Sequence, residues 1–170
     1  ETIYAYDKNN RLLRTTDPEG NITSQTYDAV GNMATKTDGR GNVTAFEYDA
    51  LNRLVKVTNA KSEITAYTYD LNGNMLTKKD GQNNTVTYTY NVANLIVTEE
   101  DQTGAKESYV YYADGKVRSK TDKNGSILTY LYDIHGNLLT ETADGPGDTK
   151  DLEYNYIYDN KGNLLTTTDA

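Results

Sequence analysis

The sequence predicts an all-β fold of tandem 21-residue hairpins, and three observations carry that prediction. Tyrosine returns at a fixed spacing, as Tyr6, Tyr27, Tyr48, Tyr69, Tyr90, Tyr111 and Tyr132, with Tyr158 following after a five-residue insertion. Four residues beyond each of these stands Gly or Asn: Asn10, Gly31, Asn52, Gly73, Asn94, Gly115, Gly136 and Gly162. A further turn signal recurs about ten residues after each of most of the first, as at Asp17-Pro18-Glu19-Gly20, Asp38-Gly39-Arg40-Gly41, Asp80-Gly81-Gln82-Asn83, Asp101-Gln102-Thr103-Gly104 and Asp122-Lys123-Asn124-Gly125. Self-similarity at a fixed period means one supersecondary unit copied along the chain, each copy packing on its neighbours.

The first turn begins with aspartate in most copies, as Asp28, Asp49, Asp70 and Asp133. An Asp opening a type I turn, followed by a left-handed residue in a G1 bulge, is a common hairpin connection. Gly and Asn enter the left-handed region at least cost, which accounts for their grip on that position. Pro18 stands where a type I turn favours proline.

Two turns per unit leave strands of about six residues, an ordinary length. The strand before the tyrosine is rich in Thr, Tyr, Val and Ile, as strands are. A second aromatic precedes most anchors by two residues, as Tyr4, Phe46, Tyr67, Tyr88, Tyr109, Tyr130 and Tyr156, with Gln25 the exception. By the period-2 rule Thr65, Tyr67 and Tyr69 share one face, and Ile64, Ala66 and Thr68 the other. The strand after the turn opens with Leu12, Met33, Leu54, Met75, Ile96, Val117, Leu138 or Leu164. This apolar residue is expected across from the tyrosine, on the same face. No window sustains apolar residues at helical spacing, so helix is not expected anywhere.

Eight units imply about sixteen strands, roughly 77 Å wide if laid flat at about 4.8 Å each. Hydrophobic content is 36%, with one Phe and no Trp, so a thick core is not available. A twisted sheet that wide curls or closes on itself. The expectation is therefore a curved or spiralling antiparallel β-strip whose tyrosine face is covered, the anchors being buried and stacked between copies. A small closed barrel is the competing geometry. The array is expected to span residues 1–170 as one domain. The insertion is expected as a protruding loop over 143–151, centred on Asp144-Gly145-Pro146-Gly147-Asp148. Both ends cut the repeat, which reads as a piece of a longer array.

A net charge of −8 with scattered lysines and arginines argues against nucleic acid and anionic membranes as partners. No stretch approaches the roughly 18 apolar residues of a membrane span. His135, the one histidine, falls in a predicted turn and reads as an ordinary turn residue. The turn aspartates are not spaced to converge on calcium, which wants about six to eight oxygens at one point. No catalytic, cofactor-binding or metal-binding residue is assigned. The sequons at Asn21, Asn42, Asn83 and Asn124 follow from turn and strand composition. The residues singled out are structural: Tyr27, Asp28, Gly31, Tyr48, Asp49, Tyr69, Asp70, Gly73, Tyr132, Asp133 and Gly136.

The unit stands as Tyr27-Asp28-Ala29-Val30-Gly31-Asn32-Met33, as Tyr69-Asp70-Leu71-Asn72-Gly73-Asn74-Met75 and as Tyr132-Asp133-Ile134-His135-Gly136-Asn137-Leu138. In this form it resembles the YD repeat, also called the Rhs repeat, over essentially the whole chain. Asn91 and Tyr112 depart from it where Asp is usual. The family comprises large secreted proteins: Rhs and wall-associated polymorphic toxins, C components of Tc toxins, and animal teneurins. The resemblance implies a β-strip that spirals into a shell, which in bacterial members encloses a C-terminal toxin domain. It implies a secreted or cell-surface location. The implied partners are further YD repeats of the same chain and the enclosed domain. The unpaired strand edges of such a strip are expected to allow self-association. An adhesion or carbohydrate-binding repeat module is the alternative, and an enzyme the least favoured reading. Aromatic repeats that bind cell-wall ligands lean on Trp, which this chain lacks.

Overall fold

The computed structural model describes residues 1–145 and 149–169. The protein is all-β: sixteen antiparallel strands in sequence order, with no helix among the described residues. The chain divides into two compact units, Glu1–Thr85 and Val86–Ala170. The first holds β1 (Ile3–Tyr6), β2 (Leu12–Thr16), β3 (Ile22–Tyr27), β4 (Met33–Thr37), β5 (Val43–Tyr48), β6 (Leu54–Thr58), β7 (Ile64–Tyr69) and β8 (Met75–Lys79). The second opens with β9 (Thr85–Tyr90), which starts at the boundary. It continues through β10 (Ile96–Glu100), β11 (Lys106–Tyr111), β12 (Val117–Thr121), β13 (Ile127–Tyr132), β14 (Leu138–Gly145), β15 (Thr149–Tyr158) and β16 (Leu164–Asp169).

Every strand pair joined by a tyrosine-led turn is in the expected register. Tyr27 faces Met33, Tyr48 faces Leu54, Tyr69 faces Met75 and Tyr132 faces Leu138. A register shift sits beside each tyrosine: Thr68 pairs with Thr77 while Tyr69 pairs with Met75. One residue is therefore left over, a bulge that bends the strand and sharpens its twist. Alternate connections such as β6–β7 carry no such shift, with Lys56↔Ala66, Val57↔Thr65 and Thr58↔Ile64 in order, whereas the extended β14–β15 pair is shifted between Ala143 and Asp144. Bulged and unbulged pairs thus alternate from β1 to β8.

Within each unbulged pair the ladder stops short. Pairing of β2 with β3 runs from Thr16↔Ile22 only to Arg14↔Ser24, leaving Leu12 and Tyr27 beyond its end. The strands separate toward the tyrosine-led turns, opening a seam between one copy and the next.

Among the described residues no side chain is fully buried. This corrects the expectation of a covered tyrosine face with buried anchors. Tyr27, Tyr48, Tyr69, Tyr111 and Tyr132 are half-buried, and Tyr6 is exposed. On the opposite face threonine hydroxyls pair across two of the tyrosine-led hairpins, Thr26 with Thr35 at 2.7 Å and Thr68 with Thr77 at 2.6 Å. A sheet one layer thick covers each ring only with its neighbours in the plane, which is why half-burial is its limit.

The insertion is also corrected. It was expected as a loop over 143–151, but β14 and β15 remain paired through Asp144↔Lys150 and Gly145↔Thr149. The added residues lengthen both strands, because Thr140-Glu141-Thr142-Ala143 continues a strand pattern and finds partners on both sides. Pro146, Gly147 and Asp148, the centre of the expected loop, lie outside the described residues.

Candidate functional site

The repeated turn is built from one carboxylate. In the turn after Tyr69, the Gly73 N–H donates to the Asp70 carbonyl at 3.2 Å and the Asp70 N–H to the Asn74 carbonyl at 2.9 Å. Asp70 Oδ1 accepts the N–H groups of Asn72 at 2.9 Å and Asn74 at 2.8 Å, while Oδ2 accepts the Asn74 side-chain amide at 2.8 Å. The donors converge on the ionised form and hold the carboxyl below its usual range, the Asn74 side-chain amide contributing most. Asp133 repeats the arrangement and the direction, led by the Asn137 side chain, and Asp49 repeats it through the Arg53 N–H. For Asp28 partial burial opposes the Asn32, Gly31 and Val30 donors, and the donors prevail.

The left-handed position is occupied in every copy: Asn10, Gly31, Asn52, Gly73, Asn94, Gly115, Gly136 and Gly162 have φ between 60° and 106°. One alternate turn escaped the sequence reading. Asn59-Ala60-Lys61-Ser62 places Ser62 at φ 64°, with Asn59 Oδ1 accepting from the N–H groups of Lys61 and Glu63. It has neither Asp at its head nor Gly or Asn at its foot. Only its spacing from the neighbouring turns marks it.

The seams carry contacts that link copies. The Tyr27 hydroxyl donates to the Leu12 carbonyl at 2.9 Å, Tyr69 to Leu54 at 2.8 Å and Tyr111 to Ile96 at 2.6 Å. Each acceptor lies where the ladder has ended, so the phenol replaces a missing backbone donor. Arginine covers two of these rings, Arg11 at 4.5 Å from the Tyr27 centroid and Arg53 at 4.8 Å from that of Tyr69. The preceding turn aspartate orients each guanidinium, Asp7 and Asp49 both accepting Nε at 2.7 Å. Arg53 Nη1 also donates to the Asp70 carbonyl at 2.7 Å. The seam over Tyr48 differs: Asn32 donates across it to Asn52 Oδ1 at 2.9 Å. At Tyr132 the cover is Lys116, 5.8 Å from the centroid, with Tyr112 packed edge-on at 6.0 Å. Tyr112, a departure from Asp in the repeat, donates its hydroxyl to the Tyr130 carbonyl at 3.0 Å.

The seam between β14 and β15 is filled by none of these. A concavity of about 720 Å³ remains there, lined by Asp133, His135, Asn137, Tyr158 and Gly162 among others. His135 is exposed in its turn, its N–H donating to Asp133 Oδ1 at 2.9 Å. Among the described residues no group of three or more His, Asp or Glu side chains could hold a metal ion.

Such a chain of hairpins, tied copy to copy by the seam contacts, is a structural repeat array. Its family is shown: the profile described as Teneurin YD-shell matches residues 1–170, and the chain belongs to that family. No curated protein matches the sequence. Among solved structures, a Photorhabdus luminescens Tc holotoxin pore carrying a TccC3 point mutant is similar over 99% of this chain and 11% of its own, at 17% identity and TM-score 0.67. The TcdB2–TccC3 crystal structure lacking its hypervariable C-terminal region is similar over the same shares, at 17% identity and TM-score 0.66. The TcdB2–TccC3 structure itself matches with 16% identity and TM-score 0.65, over 99% of this chain and 12% of that one. At such identities the likeness is one of fold. The chain spans about a ninth of the length of these Tc toxin chains.

Proposed function

We propose that the chain is wall material: a segment of a secreted or cell-surface shell that encloses another domain of the same polypeptide and has no catalysis of its own. One observation carries this reading. The residues that stand out chemically (Tyr, Asp, Gly and Arg at fixed offsets) are engaged either in closing their own turn or in holding one hairpin to the next. The membership in a shell-forming family and the fold of the Tc toxin chains support it. A wall must separate two spaces, so its two faces should differ in access.

In the full-length parent protein, single cysteines at Thr68 and at Lys78 report on the opposite faces of one hairpin. Thr68 lies on the exposed threonine face, and Lys78 pairs with Tyr67 on the other. With a bulky maleimide, one face should label at once and the other only after denaturation. Equal labelling of both faces in the native protein would sink the enclosure reading. The glycan-binding alternative is weaker, because the hydroxyls of Tyr27, Tyr69 and Tyr111 are already bonded to backbone carbonyls.

A further inference from the structure

The concavity at the last seam has a specific origin. In the first unit the position five residues after the anchor tyrosine is Arg11, Asn32, Arg53 and Asn74 in turn. Where it is arginine, the side chain reaches over the next copy's tyrosine. Where it is Asn32, the shorter side chain closes the seam only by meeting Asn52. At the β14–β15 seam the corresponding residues are Asn137 and Gly162. The Asn137 amide is already held by Asp133 Oδ2 at 2.8 Å, and Gly162 has no side chain with which to meet it. Among the described residues no cation lies over Tyr158. The gap therefore has the three groups that receive arginine at Tyr69, with the Asn137 amide on Asp133 Oδ2 where the guanidinium would sit and no arginine over the ring.

Those groups correspond one to one. The Tyr158 ring answers to Tyr69, the Asp133 carboxylate to Asp49 and the Asp159 carbonyl to that of Asp70. We propose that this gap binds an arginine side chain presented by another polypeptide, the guanidinium stacking on Tyr158 between the turns at Asp133 and Asp159. Charge favours the same ligand. Residues 133–169 hold eight carboxylates against two lysines and no arginine. One of those lysines, Lys161, is on the rim, its N–H donating to Asp159 Oδ1 at 2.8 Å. The size of the gap falls within the roughly 300–1,000 Å³ of ordinary ligand sites. The proposal is independent of whether the chain encloses anything.

The test is an NMR titration of the isotope-labelled 170-residue chain with three probes: the peptide acetyl-Gly-Arg-Gly-amide, its citrulline counterpart, and N-acetylglucosamine disaccharide. Citrulline keeps the shape of arginine and removes the charge. The arginine peptide should shift the amides of Asn137, Asp159 and Gly162 saturably, with affinity on the order of tenfold above that of the citrulline peptide. Asn137→Arg, which installs the internal arginine seen at Arg11 and Arg53, should abolish those shifts and raise Tm. Tyr158→Leu should abolish them while leaving signals from residues 1–85 unmoved. Equal binding of the citrulline peptide, shifts elsewhere, or no saturable shift would each overturn the proposal. So would undiminished binding to Asn137→Arg, and a response to the disaccharide alone would reassign the gap to a sugar.

Discussion

The Tyr69 hydroxyl donates to the Leu54 carbonyl at 2.8 Å, fifteen residues back along the chain and in the preceding hairpin. The backbone ladder between their strands has ended at Lys56↔Ala66, so this contact takes over where sheet pairing stops. In the copies at Tyr27, Tyr69 and Tyr111 the tyrosine thus acts through its oxygen as much as through its ring.

Removing that oxygen alone should be felt. Tyr69→Phe should cost about 0.5–1.5 kcal/mol, the net worth of one hydrogen bond. Urea unfolding with an unchanged slope is the appropriate measurement. A melt superimposable on the parent's would mean that water serves the Leu54 carbonyl equally well.

Arg53 and Tyr69 should be energetically coupled. A double-mutant cycle with Arg53→Gln and Tyr69→Leu should return about 0.5–1 kcal/mol, the range for a partly exposed cation–π contact. Additive losses would show that the 4.8 Å approach is incidental.

Gly73 isolates backbone strain from packing. A Cβ built there meets nothing within 4 Å, yet φ is +90°. Gly73→Val should therefore cost roughly 1–2 kcal/mol through conformation alone, and Gly73→Asn much less. Equal melting temperatures for the two variants would contradict the left-handed requirement.

Acid should weaken the turns before it weakens anything else. The carboxyls of Asp70, Asp133 and Asp49 are depressed in the fold by donated hydrogen bonds. Their contribution is complete above the unfolded value of about 3.9 and is lost as pH falls through the lower folded values. Alkali acts through the tyrosines. Burial raises Tyr69, Tyr111 and Tyr132, so their contribution is complete below about pH 10 and is lost as pH rises through the raised values. Urea midpoints should be flat between these limits. A midpoint that falls between pH 5 and 9 would contradict both assignments.

The fold was legible because its signals are local. Turn residues at fixed offsets define strand ends, and Tyr69 across from Met75 follows from the turn length. The seam contacts were not legible, because Arg53 and Tyr69 lie sixteen residues apart and meet only where a ladder of three pairs lets two strands separate. Their trace in the sequence is the alternation of Arg11, Asn32, Arg53 and Asn74. The insertion misled through composition. Asp144, Gly145 and Pro146 read as a loop, whereas cross-strand partners carry β14 as far as Gly145. Gly81 likewise reads as a free turn residue, yet a Cβ there would meet Glu63 Cβ at 2.7 Å.

Because each turn carboxylate caps its own loop, a unit brings its closure with it. Duplicating or deleting one whole unit would add or remove two strands, about 9.6 Å of length, with every remaining turn intact. The β14–β15 hairpin shows a second and independent variable, since extra residues there widen the strip without adding a strand. Length and breadth are therefore separate degrees of freedom. A lineage could tailor this material to what surrounds it by copying units for one and extending hairpins for the other.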